Sequence, residues 1–315
     1  MTIHFTPPAG GLRGIAVAPG IPRQPTDPCD LVVFGAPHGT PYDGIDNLVF
    51  ATAPAAIRRG VSVYAEWIDH WDFDVGGPIL GDAPFHPLDV GDLPTTALDG
   101  PGNRALIREA TAAILARGAV PVMIGGDDSV PIPFLEGFAD HGPICVVQVD
   151  AHIDWREERH GERQGFSSTM RRASEMGHVQ QIVQVGMRGF GSARAGDVAD
   201  AEAWGAKLVT AREVHHRGIE AALAHVPAGA RCVITIDCDG LDPAIMPAVL
   251  APSPGGLTYT QMIDLIAGVA AKARIVGFDL IEFVPERDLT GIAATTAGRL
   301  AVNAIGHVAR QPRAS

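Results

Sequence analysis

Three short segments gather acids in a pattern that can do chemistry. Gly125-Gly126-Asp127-Asp128-Ser129, Asp150-Ala151-His152-Ile153-Asp154 and Asp237-Cys238-Asp239-Gly240-Leu241-Asp242-Pro243 each follow an apolar run. Singly, each has a structural explanation: Asp or Ser after a strand caps the next helix, and Asp-Gly or Asp-Pro makes a turn. D-x-D-G also suggests a calcium loop, but the twelfth position from Asp237 is Ala248, where that loop needs Glu. Together the segments say more. If the preceding runs are parallel strands, Asp128, Asp150, His152, Asp154, Asp237 and Asp239 share one rim, where their mutual repulsion demands cations. Oxygen ligands with one imidazole suit Mn²⁺ or a similar ion, and shared aspartates suit two.

The elements that must position these residues are legible as alternating patterns. Strands are expected at Leu31–Phe34, Val120–Ile124, Ile144–Val149, Ile182–Val185, Cys232–Ile236 and Ile275–Leu280. Helical patterns fall near 103–117, 130–139, 168–176, 211–225, 259–272 and 292–309. Runs apolar throughout, rather than alternating, fit a parallel sheet covered on both faces, and the βαβα order fits one doubly wound α/β domain. Ligands of such a sheet bind beyond the carboxyl ends of its strands, where the three acidic segments begin. Residues 1–28, rich in Pro and Gly, read as an N-terminal arm lying over the surface or a neighbouring subunit. Residues 29–315 read as the single domain, and 71–101 as loop.

Composition excludes several classes. The chain has 315 residues, is 46% hydrophobic and 19% charged, and carries a formal net charge of -12 without a basic block. Nucleic acid is therefore not an expected partner. Neither a signal peptide nor an apolar run of the ~18 residues that a membrane span needs is present, so no membrane partner is expected. Four widely spaced cysteines read as reduced thiols, and the protein as cytoplasmic.

The motif set resembles that of the ureohydrolases, the family of arginases and agmatinases. Besides the GGD-x-S, DAHID-W and D-x-D-G-L-D-P segments, the likeness includes Gly35-Ala36-Pro37, Ala53-Pro54-Ala55-Ala56-Ile57-Arg58, Pro254-Gly255-Gly256-Leu257-Thr258 and Val276-Gly277-Phe278-Asp279-Leu280-Ile281-Glu282. It is nearer to agmatinases than to arginases. The resemblance implies a three-layer α/β/α sandwich with a mainly parallel sheet. It implies two divalent ions, Mn²⁺ first with Ni²⁺ or Co²⁺ as alternatives, held by Asp128, Asp150, His152, Asp154, Asp237 and Asp239. It also implies hydrolysis of an agmatine-like guanidino compound to urea and an amine by a metal-bridging hydroxide. Asp154 would orient that hydroxide and Glu282 would hold the guanidinium by paired hydrogen bonds. A homo-oligomer, trimer or hexamer, is expected on the same ground.

Two departures from the family pattern bear on chemistry. The family reads GGDHS where this chain reads GGDDS, so Asp128 replaces a histidine ligand. The exchange leaves one net negative charge on a site of two dications that would otherwise be neutral, which weakens its Lewis acidity. A catalytically weak homologue serving as a structural or regulatory subunit is therefore the rival reading. The second departure is the proton shuttle, for which the loop after Trp155 offers His160; His38 reads as a turn residue. The acidic protein attracts cations, which fits an agmatine-like substrate, while guanidinobutyrate, guanidinopropionate or an alkylguanidine would also serve. Arg156, Arg159 and Arg163 are expected to pair with Glu157, Glu158 and Glu162 in a solvated loop, the alternative being that they receive a carboxylate tail.

Overall fold

The computed structural model describes residues 3–22, 24, 27–62, 70–191 and 193–312. Nine strands form one sheet in the order β1-β5-β2-β6-β11-β10-β7-β8-β9. In chain order they are β1 (Ala16–Val17), β2 (Leu31–Ala36), β5 (Pro87–Asp92), β6 (Val120–Gly125), β7 (Ile144–Val149), β8 (Val179–Val185), β9 (Lys207–Val209), β10 (Arg231–Asp237) and β11 (Arg274–Ile281). A separate antiparallel pair joins β3 (Trp71–Asp72) to β4 (Gly77–Pro78). Every pairing within the large sheet is parallel. Buried apolar clusters fill both faces, and helices cover them, so the three-layer α/β/α expectation holds. The helices are α1 (Ala53–Gly60), α2 (Gly100–Ala116), α3 (Pro131–Glu136), α4 (Thr169–Ser174), α5 (Ala195–Trp204), α6 (Ala211–Arg217), α7 (Glu220–Leu223), α8 (Tyr259–Lys272) and α9 (Ile292–Arg310).

The central strands are sealed on both sides: every residue of β2 and β7 is buried. Each fully buried Val or Ile in them contributes roughly 1.5–3 kcal/mol of transfer free energy. Local signals set the helix starts. Thr258 accepts from Gln261 N and Gln261 reaches back to the Thr258 N–H, a reciprocal cap that begins α8. Asp99 accepts from Gly102 N at 2.9 Å to begin α2.

The structure corrects the sequence reading in several places. The expected helix 211–225 is two helices, α6 and α7, because Gly218 adopts φ 76 between them. The expected loop 71–101 contains β5, whose sequence PLDVGD lacks the look of a strand. Its polar residues are tolerated because Arg58 of α1 meets them: Nε and Nη2 donate to Asp89 at 2.8 and 2.9 Å, and Nη1 to Asp92 at 2.6 Å. Helices α1 and α5 and strand β9 were likewise not expected. In residues 1–28, β1 adds an edge strand to β5 and Leu12 and Ile15 pack into the core. Among the described residues no helix is long and apolar enough to cross a membrane. All four cysteines are free thiols.

Candidate metal centre

The strand order decides the site. β6, β11, β10 and β7 are neighbours at the centre of the sheet, and all point the same way. Their carboxyl ends deliver Asp128, Glu282, Asp237 with Asp239, and Asp150 with His152 and Asp154. Register keeps them level: Ile236 of β10 pairs with Val149 of β7, and Asp237 with Ile281 of β11. The next residues, Asp150 and Glu282, therefore leave the sheet beside Asp237. Two glycines make the approach possible. A Cβ on Gly126 would stand 2.5 Å from Pro37 O, and one on Gly240 would stand 2.8 Å from Asp150 N. The bare Gly126 also presents its carbonyl to Glu282 N at 2.8 Å.

Two groups of possible ligand atoms result. Asp150, His152 and Asp239 bring one atom each within 4.8 Å of one another, and Asp128, Asp150 and Asp154 do the same. Asp150 belongs to both. Asp237 lies alongside, its Oδ1 accepting from Asp239 N at 2.7 Å. Apart from the partly exposed Asp154, the acids are almost out of solvent, Asp150 at 1% and Asp128 at 3% exposure. Burial first, then the charges of Asp154 and Asp150, push the Asp128 carboxyl well above the ordinary range. Burial and the charges of neighbouring acids raise Asp150, Asp237 and Glu282 as well. His152 runs the other way. Burial opposes its protonation, but a hydrogen bond to Asp239 and that carboxylate's charge outweigh it and lift the imidazole to about 9. No Lys or Arg forms an ion pair with these acids among the described residues.

The donor set fits divalent metal ions. It is all oxygen apart from one imidazole, it crowds charges that only further positive charge could hold together, and Asp128 Oδ2 is buried with no hydrogen-bond partner. The helix-cap explanation of Asp128 fails, because α3 has no side-chain cap. Asp127 takes the turn role instead, accepting from Ser129 N at 3.1 Å, and burial raises its carboxyl to about 6. Asp154 and Glu282 both hold left-handed backbone, at φ 44 and φ 63. Non-glycine residues keep such geometry where surrounding structure enforces it, commonly at functional sites.

A family model described as the arginase family matches residues 29–306. The chain belongs to the arginase family. It is 30% identical to proclavaminate amidinohydrolase of Streptomyces clavuligerus over 311 residues, covering 95% of each chain. It is 33% identical to guanidinobutyrase of Pseudomonas aeruginosa over 220 residues, 67% of this chain and 68% of that one. Chicken mitochondrial agmatinase is 34% identical over 231 residues, 70% of this chain and 67% of its own. The solved structure of the Streptomyces amidinohydrolase superposes with a TM-score of 0.79 at 26% identity, with 98% of both chains covered.

In this arginase-family chain the lining of a cavity of about 280 Å³ includes Asp128, His152, Asp154, Asp237, Asp239 and Glu282. Glu282 faces it with Oε1 accepting from Asp128 N at 2.9 Å. His160 is not brought there. It sits exposed at the tip of a turn and does not line this cavity. His38 is a loop residue, its Nδ1 3.2 Å from Thr95 Oγ1.

Three contributors escaped sequence reasoning. Gln148, buried in β7, donates through Nε2 to Asp150 Oδ2 at 2.7 Å and Asp154 Oδ2 at 3.0 Å. Gln184 in β8 donates to Gln148 Oε1 at 2.5 Å and to Ile153 O at 2.8 Å, which fixes the orientation of the first amide. A polar residue inside an otherwise apolar strand was the available signal. Arg188 clamps the D-x-D-G loop by its carbonyls, reaching Asp239 O and Ser253 O at 2.6 Å each. Nothing in its local sequence marks it.

Proposed function

We propose that the chain holds two divalent metal ions, Mn²⁺ by preference with Ni²⁺ or Co²⁺ as substitutes, and hydrolyses a small guanidino compound to urea and an amine. The observation that carries the reading is Asp150: it belongs to both ligand groups, as a carboxylate between two ions must. Asp150, His152 and Asp239 would hold one ion, Asp128, Asp150 and Asp154 the other, with Asp237 beside both. Two such ions supply Lewis-acid activation of water at neutral pH. Asp154, steadied by Gln148, orients the attacking water. Glu282 receives the guanidinium at the cavity floor through charge-assisted hydrogen bonds. Water adds to the guanidinium carbon, the bond to the chain nitrogen breaks, and that nitrogen leaves as the amine with a proton. His160, outside the cavity, has no part in this scheme.

The protein is proposed to work in the cytoplasm, with residues 29–315 as the catalytic domain and 1–28 as an arm. A homo-oligomer, a trimer or hexamer, is proposed with it. Light scattering tests the assembly. The function is tested by elemental analysis after Mn²⁺ loading and by urea release from a panel of guanidino compounds. Two ions per chain and turnover of at least one compound are expected. Fewer than one ion at saturation sinks the dinuclear reading, and two ions with no urea from any compound leaves a metal-binding homologue without the activity.

A further inference from the structure

The cavity lined by these carboxylates has arginines in its wall as well. Arg156 and Arg159 line it, both from the loop after β7. That loop is pinned. Arg159 and Glu162 exchange backbone hydrogen bonds of 2.9 and 3.0 Å across a turn whose middle residues, His160 and Gly161, have φ 54 and 82. Arg156 N donates to Ser167 O at 3.0 Å on the opposite side.

The expected pairing of the loop's arginines with its acids is only partly realised. Arg163 pairs with Glu157 at 2.5 Å, and Arg171 and Arg172 share that carboxylate at 3.2 and 3.3 Å. Glu162 accepts from Gln164 N at 2.6 Å instead. Arg156 and Arg159 form no ion pair among the described residues. The Arg159 guanidinium lies over the rings of Tyr42 and Phe166, with centroids 5.1 and 5.7 Å away, and those rings meet edge-on at 4.6 Å. A guanidinium held against aromatic rings by cation–π attraction is pre-organised to meet an anionic partner. Little side-chain entropy then remains to be lost on binding.

We propose that Arg159, assisted by Arg156, receives a carboxylate tail, so that the substrate is a guanidino carboxylic acid rather than a guanidino amine such as agmatine. This rests on the hydrolytic reading above. The lining of the cavity matches such a zwitterion: it includes Glu282 for the guanidinium and the Arg159 guanidinium, which can take a carboxylate by two parallel N–H bonds. At about 280 Å³ the cavity admits a short chain between them. Asp197 also lines it and would attract an amine, but its Oδ2 already caps α5 by accepting from Arg194 N at 3.0 Å.

The test compares 4-guanidinobutyrate with agmatine on the Mn²⁺-loaded full chain, by urea release and by calorimetric binding. The acid should be preferred at least about tenfold in kcat/KM. Arg159→Met should cut that preference tenfold or more through KM, Arg159→Lys should keep part of it, and Arg163→Met should leave it intact. Equal or better use of agmatine by the unmodified protein overturns the proposal, as does an unchanged preference in Arg159→Met. If neither compound yields urea, the panel of guanidino compounds decides the hydrolytic reading and binding decides the tail site. Tighter binding of the acid, lost in Arg159→Met, supports the tail site; equal affinities or no binding of either compound overturn it.

Discussion

Asp89, inside β5, and Asp150, at the end of β7, are both acids removed from water, at 0% and 1% exposure. Asp89 has its own cation: both its oxygens accept from Arg58, itself 4% exposed, and Oδ2 also accepts from Leu12 N at 3.1 Å. Asp150 has four acidic neighbours and a half-buried histidine. A buried charge survives when paired and fully hydrogen-bonded. The first cluster meets that condition from within the chain and so serves architecture, tying α1 and the N-terminal segment to the edge of the sheet. The second does not meet it from within, and so is organised for something the chain must bind.

Breaking each cluster should give opposite phenotypes. The largest effect is expected from Asp150→Ala, which removes the residue common to both groups of candidate ligand atoms. Retained Mn²⁺ should fall from two ions per chain to none after desalting, with urea production falling further than the ~10–100-fold typical of outer contacts. The fold should persist, because relief of repulsion offsets the lost contacts; if metal content were unchanged, Asp150 would not be a ligand. Arg58→Met should do the reverse. Leaving Asp89 buried without its partner should cost ~3–5 kcal/mol in denaturant unfolding, with the metal ratio of the folded fraction unchanged.

Asp279 of β11 sharpens the contrast, for it is buried with one partner, Thr235 Oγ1, at 2.7 Å, and burial raises its carboxyl to about 8. A folded value above the unfolded one means that the native state holds the proton more tightly. Its stabilising contribution is therefore full at low pH and is lost as pH rises from about 4 to about 8, at no more than about 1.4 kcal/mol per pH unit. Asp279→Asn should remove that slope, so its stability relative to the parent should increase from pH 5 to pH 8. A constant difference across that range would show Asp279 ionised in the fold. The smallest change is expected from Gln148→Leu. It frees Asp150 and Asp154 without removing either, and should weaken Mn²⁺ binding ~10–100-fold at little cost in folding; an unaltered Mn²⁺ titration would confine Gln148 to packing.

The acidic segments themselves were plain in the sequence, because each follows an apolar run at a strand's carboxyl end, and strand composition is a local property. Central strands were found for the same reason: their burial on both faces writes a continuous run of Val and Ile. β5 was hidden, since its Asp, Gly and Pro residues argue locally for a loop and only Arg58, distant in the chain, makes them acceptable in a sheet. Gln148 and Arg188 were hidden likewise, their roles being defined by partners on other elements.

The sequence by itself determined which residue types stand at the strand ends, including Asp128 where the family has histidine, because those are facts of order along the chain. Only the tertiary structure decided that β6, β11, β10 and β7 lie side by side, that Asp150 belongs to two groups of candidate ligand atoms, that His160 falls outside the cavity and that Arg159 lines it. Strand order and loop conformation depend on crossover paths and long-range contacts, such as Arg159 on Tyr42 and Phe166. Nothing in a local window carries that energy.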